Sequence, residues 1–400
     1  MIGLLLSGGE VTYMFVLVAI FPLAAKKREI SEFWIGAIIG SVYYASFAFS
    51  LLWPLIIRQH HLTFAYKCAW LLLGTAFTLF SFNFEIGNKF LFIALCIIEG
   101  FLSGALASLL YITSIPVLTQ IYPEKSGTII SAMQGFMFLA ASIGSPIANS
   151  LYRLGGCFLP FICMGIFQVF LALWAIVLTP PYHGYRNDNT SNVSKLEFYK
   201  LISRPSVIFL SFPEGIVSMV IGMNCSTLSI YIKDTFHLDE SNNFIIFLAH
   251  GLTVAFFAPL IGYTVDKGHA TFIMVISIIT FPFILMVFIY CKSLPMFIIA
   301  YCFQGATSGV ISNISLLYFA KQAEKWELSN TKMLAATLTT TIRAFFRGVG
   351  ATVFGGVLQE FFSIQTTWWL AFFTSIIVSV ITLFEIFKQG YHRRIYYEVI

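Results

Sequence analysis

Four hundred residues, 58% hydrophobic and only 10% charged with a net charge of +5, leave too few ionised side chains to clothe a water-soluble domain of this size. Mean hydropathy is +0.86, and the basic residues form neither a stripe nor a tail, so the composition argues against a nucleic-acid-binding surface. The charges occupy short gaps between long apolar runs, the pattern of a polytopic membrane protein.

A helix of about 20 apolar residues crosses hydrocarbon. In chain order the sequence predicts spans at Ile2–Ala25, Phe33–Ile57, Cys68–Ile86, Phe90–Leu118, Gly127–Leu151 and Phe158–Leu178. The polar stretch Thr179–Pro205 follows and opens on Pro180-Pro181. Beyond it come Ser206–Ile232, Phe244–Val265, Ala270–Cys291, Leu294–Ala320, Met333–Gln359 and Thr366–Phe387. The expected fold is all-α: twelve transmembrane helices as two six-helix bundles. Residues 1–179 make the first bundle, 180–205 a flexible cytosolic linker, and 206–400 the second bundle with a short cytosolic tail. The opening run is too long for a secretory signal, carries Glu10 and lacks a basic leader, so it is read as a first span.

With both termini cytosolic, 14 Lys and Arg fall in cytosolic segments and 7 on the opposite side, which supports that orientation. The contrary loop is Lys26-Lys27-Arg28. Seven cysteines show neither a CxxC nor a metal spacing and read as small buried residues. No cofactor or metal is expected. The halves echo each other: Pro54-Leu55-Ile56 recurs as Pro259-Leu260-Ile261 at an offset of 205, and Gly144 falls near Gly350. Duplicated halves related by an axis along the membrane normal describe a large transporter class whose site lies between them near the midplane. Small residues four apart, Gly100, Gly104 and Ser108, then Ala140, Gly144 and Ala148, predict close helix packing.

Six ionisable residues lie well inside predicted spans: Glu10, Glu99, Glu214, His250, Arg343 and Arg347. Each charge near the bilayer centre costs about 2.5–3.5 kcal/mol on insertion scales, so such residues face a protein interior or a water-filled path. Arg343 and Arg347 sit one helical turn apart on one face and need partners. Interior ion pairs with the three glutamates and a substrate or proton role are equally good readings, and an anion held by the arginine pair is a third. His250 is either a proton relay or a hydrogen-bonded structural group. Ser308, Ser312 and Ser315 make a polar stripe in the tenth span, and Glu214, Ser218, Gly222 and Ser229 another in the seventh. Trp34, Trp368 and Trp369 at span ends fit an interfacial belt.

Several runs resemble a known family. Phe21-Pro22-Leu23-Ala24-Ala25-Lys26-Lys27 followed by Trp34-Ile35-Gly36 resembles the junction between the first two spans of vesicular amine transporter-like proteins, a branch of the major facilitator superfamily that includes vesicular polyamine transporter-like members. Tyr122-Pro123-Glu124-Lys125, Gly127, Gly144-Ser145-Pro146, Leu151-Tyr152, Gly155-Gly156 and Pro160-Phe161 are similar to that branch's fifth-span region. Gly262 to Asp266-Lys267 resembles the superfamily's loop after the eighth span. The resemblance implies alternating access, a cavity lined by the first, fourth, seventh and tenth helices, and a gating role for Gly262, Asp266, Lys267 and Pro146. Glu10 precedes Pro22 by 12, as a cation-binding carboxylate does in the amine transporters, and is the foremost candidate for an amine or proton site. The chain departs from the family pattern at His61, where a loop Asp would stand, at Glu99, where the family has Gln, and at the two arginines.

The expected function is secondary transport of a small organic solute, an amine or polyamine favoured, by proton-coupled antiport. Substrate or proton contacts are expected from Glu10, Glu99, Glu214, His250, Ser308, Ser312, Arg343 and Arg347. The alternatives are a non-transporting receptor or adaptor of the same fold, and an organic-anion transporter using Arg343 and Arg347. An enzyme is not expected, since no paired intramembrane aspartates, HExxH or His/Asp cluster occurs. The expected partners are the solute, protons and lipid, in a monomer of a vesicle, lysosome-type or plasma membrane.

Overall fold

The computed structural model describes residues 17–57, 61–119, 126–179, 195–238, 244–267, 269–326, 328 and 331–398, and all regular elements among them are helical. The first half comprises α1 (residues 17–27), α2 (Glu32–Ile56), α3 (Leu62–Phe80), α4 (Lys89–Thr119), α5 (Ser126–Gly155) and α6 (Phe158–Leu178). A short helix, α7 (Lys195–Ile202), precedes the second half: α8 (Pro205–Phe236), α9 (Phe244–Asp266), α10 (Ala270–Tyr290), α11 (Leu294–Lys325), α12 (Thr331–Val349) and α14 (Ile364–Glu398). Between the last two, α12 continues through a π segment (Gly350–Val357) into the single turn α13 (Leu358–Phe361).

Ten of the described helices are long and apolar enough to cross a membrane. Helix α12 fails that criterion on polarity, because it carries Arg343, Arg347 and a run of threonines. Helix α1 is described only from residue 17. With these two in place the architecture is the expected pair of six-helix sets. Exposed side chains such as Phe256, Phe272, Phe283 and Phe384 suit lipid as the surrounding solvent.

The halves meet through α2 against α12 and α5 against α9. Glycine makes these approaches close enough for backbone contact. A Cβ on Gly36 would reach the Ala351 carbonyl at 2.5 Å, and one on Gly135 would lie 3.2 Å from the Ala255 carbonyl. Within the halves, a Cβ on Gly104 would collide with the Val42 carbonyl, and one on Gly222 with the Arg347 carbonyl. Without a hydrophobic drive between helices in lipid, such contact is what holds them. The π segment frees backbone carbonyls, and Ser226 Oγ donates to that of Ala351 at 3.4 Å.

Three local expectations change, and one contrary feature finds its contacts. Helix α3 begins at Leu62, not Cys68, because Lys67 is accommodated within the helix. Part of the linker expected to be flexible is helical, with Leu201 buried and Arg204 stacked 3.6 Å over the Trp326 ring. Trp368 is not interfacial: it is buried against Tyr231, with ring centroids 4.6 Å apart. The contrary basic loop is structural, since Lys26 pairs with Glu32 and Arg28 donates to the carbonyls of Phe84 and Ile86.

Gly104→Ala is expected to destabilise the protein by about 1–3 kcal/mol through overpacking. Gly87→Ala, where an added Cβ meets nothing within 4 Å, is the neutral control. Thermal melting in detergent compares the two, and equal melting temperatures would contradict the packing account.

Candidate functional site

The centre of the molecule holds a charged cluster drawn from both halves. Glu214 on α8 is fully buried, and its Oε1 accepts from Arg343 Nε of α12 at 2.5 Å and from Ser312 Oγ of α11 at 3.1 Å. Arg343 also donates from Nη2 to the Ser312 carbonyl at 2.9 Å and from Nη1 to Tyr111 Oη of α4 at 2.9 Å. Gln134 Nε2 of α5 reaches the same hydroxyl at 3.3 Å. An ion pair of the second half is thereby bonded to Tyr111 of the first, and through its hydroxyl to Gln134. Its stability depends on geometry, since two desolvated charges repay their dehydration only when well placed.

Beside this cluster lies a cavity of about 180 Å³. Its walls come from α1, α2, α4 and α5 on one side and α8, α9, α11 and α12 on the other, among them Tyr43, Tyr111, Phe138, His250, Arg343 and Arg347. His250 is buried; its Nδ1 lies 3.1 Å from the Tyr301 carbonyl, and its ring lies over that of Tyr301 with centroids 4.5 Å apart. A carbonyl only accepts, so Nδ1 carries the proton. The Arg347 guanidinium lies 6.0 Å from the Tyr43 ring centroid, and its buried Nε has no hydrogen-bond partner among the described residues.

The expected residues separate into distinct places. Glu214, Ser312 and Arg343 come together in the ion-pair cluster, and His250, Arg343 and Arg347 line the cavity. Glu99 stands apart, accepting from Asn83 Nδ2 at 2.8 Å beside Cys96 on α4. Ser308 is buried and bonds the Gly305 carbonyl of its own helix at 3.1 Å. Glu10 lies outside the described residues. Of the gating candidates, Gly262 packs on Ser131 of α5, Lys267 lies over the Tyr263 ring at 4.5 Å, Pro146 sits inside α5, and Asp266 ends α9. Tyr111, Gln134, Tyr43 and Tyr301 were not singled out by sequence. An uncharged hydroxyl or amide in an apolar run signals no partner until the helices are in place.

Removing one member of a buried pair leaves the other uncompensated, at a cost of about 3–5 kcal/mol. Glu214→Gln and Arg343→Gln should each lower the melting temperature sharply, and the double variant should recover most of the loss. Additive losses in that double-mutant cycle would show that the pair is not coupled.

Residues 214–390 match the family profile of the Major Facilitator Superfamily. The human MFS-type transporter SLC18B1 (Homo sapiens) is 24% identical over 247 residues, 62% of this chain and 53% of that protein. The mouse protein of the same name (Mus musculus) is 25% identical over 260 residues, 65% and 55% respectively. The chain spans about half the length of the curated relatives it matches. Among solved structures, the nucleoside transporter NupG superposes with a TM-score of 0.71 at 13% identity, covering 96% of this chain and 98% of that one. A bacterial homologue of the human lysosomal transporter Spinster, inward-facing and occupied, gives 0.67 at 11% identity, covering 96% and 95%. At such identities the structural likeness concerns the fold. The chain has the fold of the major facilitator superfamily, and in sequence it resembles that superfamily's SLC18 branch.

Proposed function

We propose that this protein is a secondary transporter that carries a small organic solute across a membrane by exposing its central cavity to each side in turn. The observation that supports this most directly is the composition of the cavity wall, contributed by both halves of a fold with two repeated helix sets. A rocking motion of one half against the other changes the access to such a cavity without dismantling either half. Among the polar contacts between halves that must rearrange are Tyr111 with Arg343, and the buried hydroxyls of Ser50 on α2 and Thr341 on α12, 2.8 Å apart.

The same reading gives protons a role. Glu214 neutralises Arg343, and its Oε2 is buried with no hydrogen-bond partner among the described residues. A proton arriving on Glu214 would weaken its hold on Arg343 and, through it, the bond to Tyr111. Coupling of solute movement to a proton gradient would follow from that exchange. Both termini in the cytosol, a boundary between bundles at residues 180–205 and a monomeric state are part of the proposal.

Two measurements test it. In proteoliposomes, accumulation of a transported solute should depend on an imposed pH gradient and collapse when the gradient is dissipated. The Ser50→Cys, Thr341→Cys double variant should form a disulfide, since the paired oxygens already lie within side-chain reach. That bond should stop transport until a reductant is added, while each single variant keeps transporting. Unimpaired transport by the oxidised double variant would contradict the rocking of these halves.

A further inference from the structure

Arg343 and Arg347 line the same cavity from successive turns of α12, and among the described residues only Arg343 has a carboxylate partner. Arg343 directs Nε, Nη1 and Nη2 to Glu214, Tyr111 and the Ser312 carbonyl. Arg347 has no carboxylate partner among the described residues; it faces the Tyr43 ring and keeps an unbonded buried Nε. No Asp or Glu is among the described residues that line the cavity. A guanidinium with no carboxylate partner among the described residues is suited to an anion: its planar donors match a carboxylate in bidentate fashion, and low local dielectric strengthens the pairing.

The remaining wall describes the rest of the ligand. His250 and Tyr301 present overlapping rings, and Phe138 meets His250 edge-on at 6.3 Å between centroids. Apolar contact comes from Val42, Met137 and Ile221. The volume of about 180 Å³ is in the range that accommodates a single aromatic ring with a small substituent. With the Nδ1 proton of His250 committed to the Tyr301 carbonyl, the neutral ring keeps Nε2 as a hydrogen-bond acceptor.

We infer that the cavity binds a small organic monoanion with an aromatic or similarly compact apolar body, its acidic group on Arg347 and its ring against Phe138, His250 and Tyr301. This rests on the proposed transport role only in taking the cavity as the substrate site. It reverses the charge expected from the amine-transporter resemblance, and the reversal lies in Arg347.

The test is equilibrium binding to the purified protein in detergent, using benzoate, benzenesulfonate and benzylamine as probes, followed by flux of the same compounds in proteoliposomes. Benzoate or benzenesulfonate should bind and raise the melting temperature, and benzylamine should do neither. Arg347→Gln should weaken anion binding at least tenfold, and Arg347→Lys should restore part of it, which shows that the charge and not a folding defect is responsible. Binding of benzylamine in preference to the anions, anion binding indifferent to Arg347→Gln, or no anion binding at all would each overturn the inference. Flux of benzylamine without anion binding would overturn it while leaving transport standing; anion binding without any flux would do the reverse.

Discussion

Hydrocarbon does not solvate ions, and every unusual feature of this molecule answers that constraint. Two arginines one turn apart could not persist on a lipid-facing helix. Helix α12 therefore sits at the centre, between α2 of one half and α8 of the other, with Glu214 held against Arg343. The close approach of α8 that this needs is provided by Gly222 and Gly350, where any side chain would strike the facing backbone. Packing and charge are thus one problem: the small residues bring the backbones together, and the approach places the carboxylate on the guanidinium.

The same geometry links stability to function. A buried ion pair confined to one half would be a structural staple. Here Arg343 also reaches Tyr111 across the boundary between halves, so the pair's electrostatic state bears on how the halves fit. Arg347, without an internal counter-ion among the described residues, leaves the adjoining cavity with positive charge on one wall and aromatic rings on the other. Under the proposed reading, that asymmetry selects the ligand by charge as well as by size.

Much of the fold was legible because apolar length is a strong signal in a bilayer. Helix α6 spans Phe158–Leu178, the boundaries predicted for it, and Pro54 and Pro259 fall in corresponding helices, α2 and α9. Of the intramembrane charges, Glu214, His250, Arg343 and Arg347 lie at the ion-pair cluster and the cavity, Glu99 stands apart and Glu10 lies outside the described residues. The seventh-span residues Glu214, Ser218, Gly222 and Ser229 are all buried. Other features depended on tertiary structure. Glu99 finds Asn83 on a neighbouring short 3-10 turn, Ser81–Glu85, which no periodicity announced. Trp368 looks interfacial in sequence, yet the packing of α14 on α8 and α10 buries it. The bond from Arg343 to Tyr111 joins positions 232 residues apart, a separation at which composition carries no information about contact.

Accessibility of the cavity from the two sides of the membrane tests the account most directly. Ala107 on α4 and Ala344 on α12 line it from opposite halves. Each would be replaced by cysteine, with Cys225 changed to serine, and labelled by an impermeant thiol reagent from either side, with and without a pH gradient. The account predicts that both positions switch together from labelling on one side to labelling on the other. Labelling confined to one side under all conditions, or two positions responding independently, would contradict it.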